Sequence, residues 1–94
     1  MALFIALGRS TDDGLKNIAD LTTRHNAAVE RVEAAGVKVL GSYAVMGRYD
    51  YVVILDAADV ATCIRVLTKE ASGGNIRYET MPAIATNEFG SLLG

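Results

Sequence analysis

Apolar residues run without interruption from Ala2 to Leu7, stop at Gly8, and give way to the polar run Ser10, Thr11, Asp12 and Asp13. The run is too short for a helix of its own, and its two-sided apolarity predicts a strand in the middle of a sheet, covered on both faces. The hydroxyls and carboxylates that follow can accept bonds from unpaired amides and set negative charge at a helix's positive end, so a helix starts there. Its inner stripe is Leu15, Ile18, Leu21, His25, Ala28, Val29 and Val32, spaced by threes and fours, and Gly36 supplies the left-handed residue that closes it. Thr22-Thr23 are poor helix formers and good caps, which leaves two readings open: one long helix, or a short turn followed by a separate helix from about Thr23 to Ala35.

Two runs rich in β-branched and aromatic residues follow, Val37 to Met46 and Tyr51 to Leu55, and the short connection Gly47-Arg48-Tyr49-Asp50 makes them a hairpin. Asp59 caps a second helix with inner stripe Val60, Cys63, Ile64, Leu67 and Ala71, and Gly73-Gly74 ends it. Ile76 to Met81 is the last strand, an edge strand because Pro82 lacks an amide to donate. The order βαββαβ, with right-handed crossovers, puts strands one and three in the centre of an α+β, ferredoxin-like, four-stranded antiparallel sheet. One domain fills residues 1–94, with its core in 2–83 and a tail or short helix in 84–94, whose Phe89, Leu92 and Leu93 cap the core or reach a neighbour.

The hairpin has geometric consequences. If Met46 pairs with Tyr51, Ala44 lies opposite Val53, Tyr43 opposite Ile54, and Gly41 opposite Asp56. Tyr43 then reaches Asp56 diagonally across the gap that glycine leaves, and a phenol and a carboxylate meet in a partly apolar place. A bulge would swap the two faces beyond it. The plainer reading of Asp56 is a strand-end acid that bonds backbone amides.

Composition narrows the chemistry. The chain has 94 residues, 51% of them apolar, and a mean hydropathy of +0.27, high for a small domain that buries only about 60–65% of its unfolded surface. Two helices cover one face of a four-stranded sheet, yet both faces are largely apolar, so a second copy is expected on the other. A net charge of −2 with scattered Lys and Arg offers no basic stripe for nucleic acid. The apolar start lacks a basic leader and is too short for a membrane segment, and a single cysteine, Cys63, fits a reducing, cytoplasmic setting. One histidine, His25, leaves no multi-histidine metal site, and no phosphate loop or dinucleotide fingerprint is present, so no cofactor is expected.

The strings Gly36-Val37-Lys38-Val39, Gly47-Arg48-Tyr49-Asp50-Tyr51-Val52-Val53, Ala57-Ala58-Asp59 and Gly74-Asn75-Ile76-Arg77-Tyr78-Glu79-Thr80, with Tyr43 between the first two, resemble the GYD-domain family. The resemblance implies a dimeric α/β barrel, two sheets packed through their uncovered faces, and implies little about chemistry. The resulting expectation is a homo-oligomer that binds a small, partly apolar molecule in a cavity at the open sheet face. Tyr43, Asp56 and His25 are the candidate cavity residues, with Arg48, Tyr49 and Asp50 at the rim. Each also has a plain structural reading: Asp50 and Gly47 form a tight turn, and His25 packs on a helix. The alternatives are a cofactor-independent isomerase or monooxygenase with Asp56 or His25 as general base, and an assembly module without a ligand.

Overall fold

The computed structural model describes residues 2–94; Met1, which opens the first apolar run, lies outside them. Four strands, β1 (Ala2–Ser10), β2 (Lys38–Ala44), β3 (Tyr51–Ala57) and β4 (Ile76–Ala83), form one antiparallel sheet in the order β2-β3-β1-β4. The two strands with the most continuous apolar sequence are therefore central, and Pro82 sits on an edge strand. Helices α2 (Leu21–Ala34) and α3 (Val60–Ala71) both pack on one face. There Phe4, Ala6, Leu55 and Ala57 meet Val32 from α2 and Cys63, Val66 and Leu67 from α3.

The first helical region is broken, as the second of the two readings had it, with the separate helix starting two residues earlier than expected. Helix α1 (Asp12–Lys16) ends at Asn17, a single 3-10 turn spans Ile18–Asp20, and both threonines lie in the first turn of α2. Asn17 donates its side-chain amide to the Asp13 carbonyl, a local bond that competes with helix continuation. Leu15 and Ile18 consequently leave the inner stripe and are 57% and 46% exposed. The stripe of α3 also differs from expectation: the helix is rotated so that Cys63, Val66 and Leu67 are buried, while Val60 and Ile64 face outward. The predicted caps are present. Thr11 accepts a bond from the Gly14 amide, Asp59 accepts one from Thr62 at 2.8 Å that holds its carboxyl below the usual range, and Gly36 closes α2 at φ +98°.

The hairpin register is shifted by two residues from the expected one. Ser42 pairs with Val53, Tyr43 with Val52 and Ala44 with Tyr51, and a bulge at Leu40 swaps the faces, so that Lys38 rather than Gly41 lies opposite Asp56. The shift arises because Asp50 is held by β1: its amide donates to the Gly8 carbonyl, and its carboxylate accepts from the Ser10 amide at 2.9 Å. Pairing therefore stops at Ala44, and 45–50 form a longer connection closed by the Val45 amide on the Asp50 carbonyl.

The second sheet face has no helix on it among the described residues. Leu3, Ile5 and Leu7 from β1 line up there with Ile54, Val52 and Met81, and all six stay partly exposed in the single chain. Helix α4 (Thr86–Leu92) buries none of its residues, and Phe89, Leu92 and Leu93 are exposed, so the tail does not cap the chain's own core.

Candidate functional site

One recess lies on the helix-covered face, and a second, of about 350 Å³, lies on the open-face side, lined by Leu7, Arg9, Glu79 and the predicted rim residues Arg48 and Tyr49. The first arises from small residues meeting across the layers. Ser10 and Ser42 on the sheet face Ala27 and Ala28 on α2, too little volume to fill the space between strand and helix, and a cavity of about 320 Å³ remains. Gly8 makes room for its aromatic wall: a β-carbon there would stand 3.4 Å from both Tyr51 and Tyr78. Val53 and Ile76 complete the apolar lining, and Asn75 closes one end. A narrower recess of about 40 Å³ shares His25, Ala28, Val53 and Tyr78 and leads toward the core residues Ala6 and Leu55.

Four ionisable side chains other than the tyrosines reach the cavity: Arg24, His25, Arg31 and Glu70. Arg31 donates Nε and Nη2 to the two Glu70 oxygens at 3.0 and 2.9 Å, which raises the Arg31 pKa through that bond and neutralises the carboxylate. Arg24 Nη2 donates to the carbonyls of Gly14 and Asn17, while its Nε is shielded from solvent and has no partner among the described residues. Ser10 donates to the Tyr51 hydroxyl at 3.2 Å. Burial pushes the Tyr78 phenol up, with Glu70 adding to the shift, so Tyr78 remains a neutral donor at pH 7.

The six sequence candidates do not gather in one place. His25 lines the cavity, and it is exposed because the space in front of it is unfilled. Tyr43 lies on the open face and folds back over its own strand, with a Gly41 β-carbon position 3.0 Å from its ring. It makes no hydrogen bond to Asp56, whose buried Oδ1 has no partner among the described residues. Arg48 and Tyr49 line a separate depression with Arg9, Arg77 and Glu79, where Tyr49 donates to Glu79 and Arg9 Nε donates to the Arg48 carbonyl at 2.7 Å. Asp50 ties the turn to β1 through its bonds to Gly8 and Ser10.

Arg24, Arg31, Glu70, Tyr51 and Tyr78 were not among the candidates. The spacing Leu21–Arg24–Ala28 on the inner side of α2 was the one legible sign that Arg24 points inward; the Arg31–Glu70 pair joins residues 39 apart and has no local signature. Among the described residues, no three His, Cys, Asp or Glu side chains converge to hold a metal ion. Cys63 is 1% exposed, and its burial raises the thiol pKa, which suits packing and not nucleophilic attack. No helix of the described residues is long and apolar enough to cross a membrane.

Comparison with known proteins adds three findings. The GYD domain matches residues 4–93. A Thermus thermophilus protein named glutamine synthetase and cystathionine beta-lyase binding protein is 36% identical over 85 residues, covering 89% of this chain and 90% of the relative. The crystal structure of TTHA0845, from the same organism, superposes with a TM-score of 0.58 at 24% identity, covering 92% of this chain and 96% of that one, and supports the fold.

Proposed function

The chain belongs to the GYD domain family, and from that premise we propose that it works as a homo-oligomeric binding protein that docks on metabolic enzymes. The observation that carries this reading is the end-to-end likeness to the Thermus relative, whose name has it binding glutamine synthetase and cystathionine β-lyase. The distribution of apolar surface supports it. The bare sheet face, with Leu3, Ile5 and Ile54 in its middle, suits a second copy in a dimeric α/β barrel. Val60 and Ile64 on the outer side of α3, together with Phe89 and Leu92 on α4, then remain for a different protein.

Purified chain immobilised through its N-terminus should retain glutamine synthetase or cystathionine β-lyase from its own source organism with micromolar or tighter affinity, about −8 kcal/mol. Ile64→Glu should weaken that retention without unfolding the chain, since Ile64 is 60% exposed. Retention of neither enzyme by the wild-type chain would contradict the reading.

A second reading is favoured by the helix-side cavity. At about 320 Å³ it lies at the lower end of the range for small-molecule sites, and its walls combine aliphatic and aromatic side chains with a few polar groups. We propose that it holds a small, partly apolar ligand. Its floor and roof belong to the sheet and to α2, so occupancy would reach the outer surface through the helix.

A further inference from the structure

We infer that the helix-side cavity is a site for a small amphipathic monocarboxylate, with the carboxylate at the Arg24 end and the apolar body against Val53, Ile76 and the rings of Tyr51 and Tyr78. This rests on the small-molecule reading of the cavity and adds the chemical class of the ligand.

The charge balance of the wall carries the inference. Among the described residues, Glu70 is the one acidic side chain lining the cavity, and both of its oxygens already accept from Arg31. That pair cancels, and Arg24 is left as an uncompensated cation. Its Nη2 is fixed by the carbonyls of Gly14 and Asn17 at 3.4 and 3.1 Å, contacts that orient the guanidinium without neutralising it. Its Nε–H is out of reach of solvent and unpaired among the described residues. Nη1, unlike Nε, is not shut off from solvent and makes no hydrogen bond among the described residues, so it is the donor that an anionic group entering the cavity can reach.

The neutral groups agree with an anion. Ser10 donates its proton to the Tyr51 hydroxyl, which leaves the Tyr51 O–H to be donated onward. Asn75 and Ser42 add further donors at the wall. A single planar guanidinium matches a single planar carboxylate. Beyond Thr23 and His25 the remaining lining is apolar, which calls for a hydrocarbon or aromatic body on the same molecule.

The test is a titration of the full chain at pH 7, followed by amide NMR shifts, with 3-phenylpropionate and its uncharged counterpart 3-phenylpropanamide. The acid should bind about tenfold or more tightly than the amide, with shifts at Ser10, Ala28 and Asn75. Arg24→Gln should bring the two within about twofold by weakening only the acid, and Ala28→Phe, which fills the cavity, should abolish both. Should Arg24→Gln fail to fold, because Arg24 ties α1 to α2, Arg24→Lys keeps the charge and must keep the preference for the acid. Equal affinities in the wild-type chain, or acid shifts centred on Arg9, Arg48 and Arg77, would overturn the carboxylate assignment while the cavity reading stood. No cavity shifts with either probe would overturn both.

Discussion

Replacing Phe4 with Ala should destabilise the fold by about 3–5 kcal/mol. Phe4 is 2% exposed, sits on the central strand opposite Leu55, and belongs to the cluster where the sheet meets Val32, Cys63, Val66 and Leu67. Truncation loses the transfer energy of the ring and leaves a void in a layer that cannot collapse, since the β1–β3 ladder holds the backbone on one side. For a domain whose total stability is on the order of 5–15 kcal/mol, that is a large share. Urea unfolding at fixed protein concentration should show a lower midpoint with the same slope. A loss under about 1 kcal/mol would mean that Phe4 is not part of the packed core.

Gly14→Ala should be comparably damaging for a different reason. A β-carbon at Gly14 would stand 2.1 Å from the Asn75 carbonyl oxygen, an impossible contact with backbone that cannot rotate away. The same carbonyl accepts the Thr11 amide at 3.1 Å, and the Thr11 hydroxyl donates to the Gly74 carbonyl while accepting from the Gly14 amide. The start of α1 is thus sewn to the turn that opens β4, and Asn75 is also a wall of the cavity. The added methyl group must part the two segments, at a cost on the order of 3 kcal/mol. Thermal unfolding together with the 3-phenylpropionate titration checks this: the substitution should lower the midpoint and weaken the ligand, and a variant matching wild type in both would contradict the close approach.

Sequence reasoning recovered what depends on local signals. Strand centrality followed from the unbroken apolar run in β1, the helix ends from Thr11, Gly36 and Asp59, and the edge position of β4 from Pro82. The misses depended on rotation or on distant partners. Val60 and Ile64 flank the Cys63–Leu67 side of α3 on one edge and Val66 on the other, and only packing against the sheet decides that Val66 goes in and the other two go out. The hairpin register was set by Asp50 bonding to a strand 40 residues earlier in the chain. Leu15 and Ile18 matched the helical period and yet lie outside, because Asn17 bonds locally and ends α1.

The site was less legible than the fold for the same reason. A cavity made by Ser10, Ser42, Ala27 and Ala28 exists because small residues of three elements face each other, and no stretch of the chain announces that meeting. His25 could be placed by its period. Tyr43 and Asp56 were drawn together by a register that the two-residue shift at the Asp50 end of the hairpin removes.

What joins the fold to the proposed function is the bare sheet face, with Ile5 of β1 between Ile54 and Met81. Sedimentation velocity on the purified chain at micromolar concentration tests it most directly. Two or more copies should sediment together and separate into single subunits on Ile5→Asp; a well-folded lone subunit from the unaltered chain would overturn the role of this face.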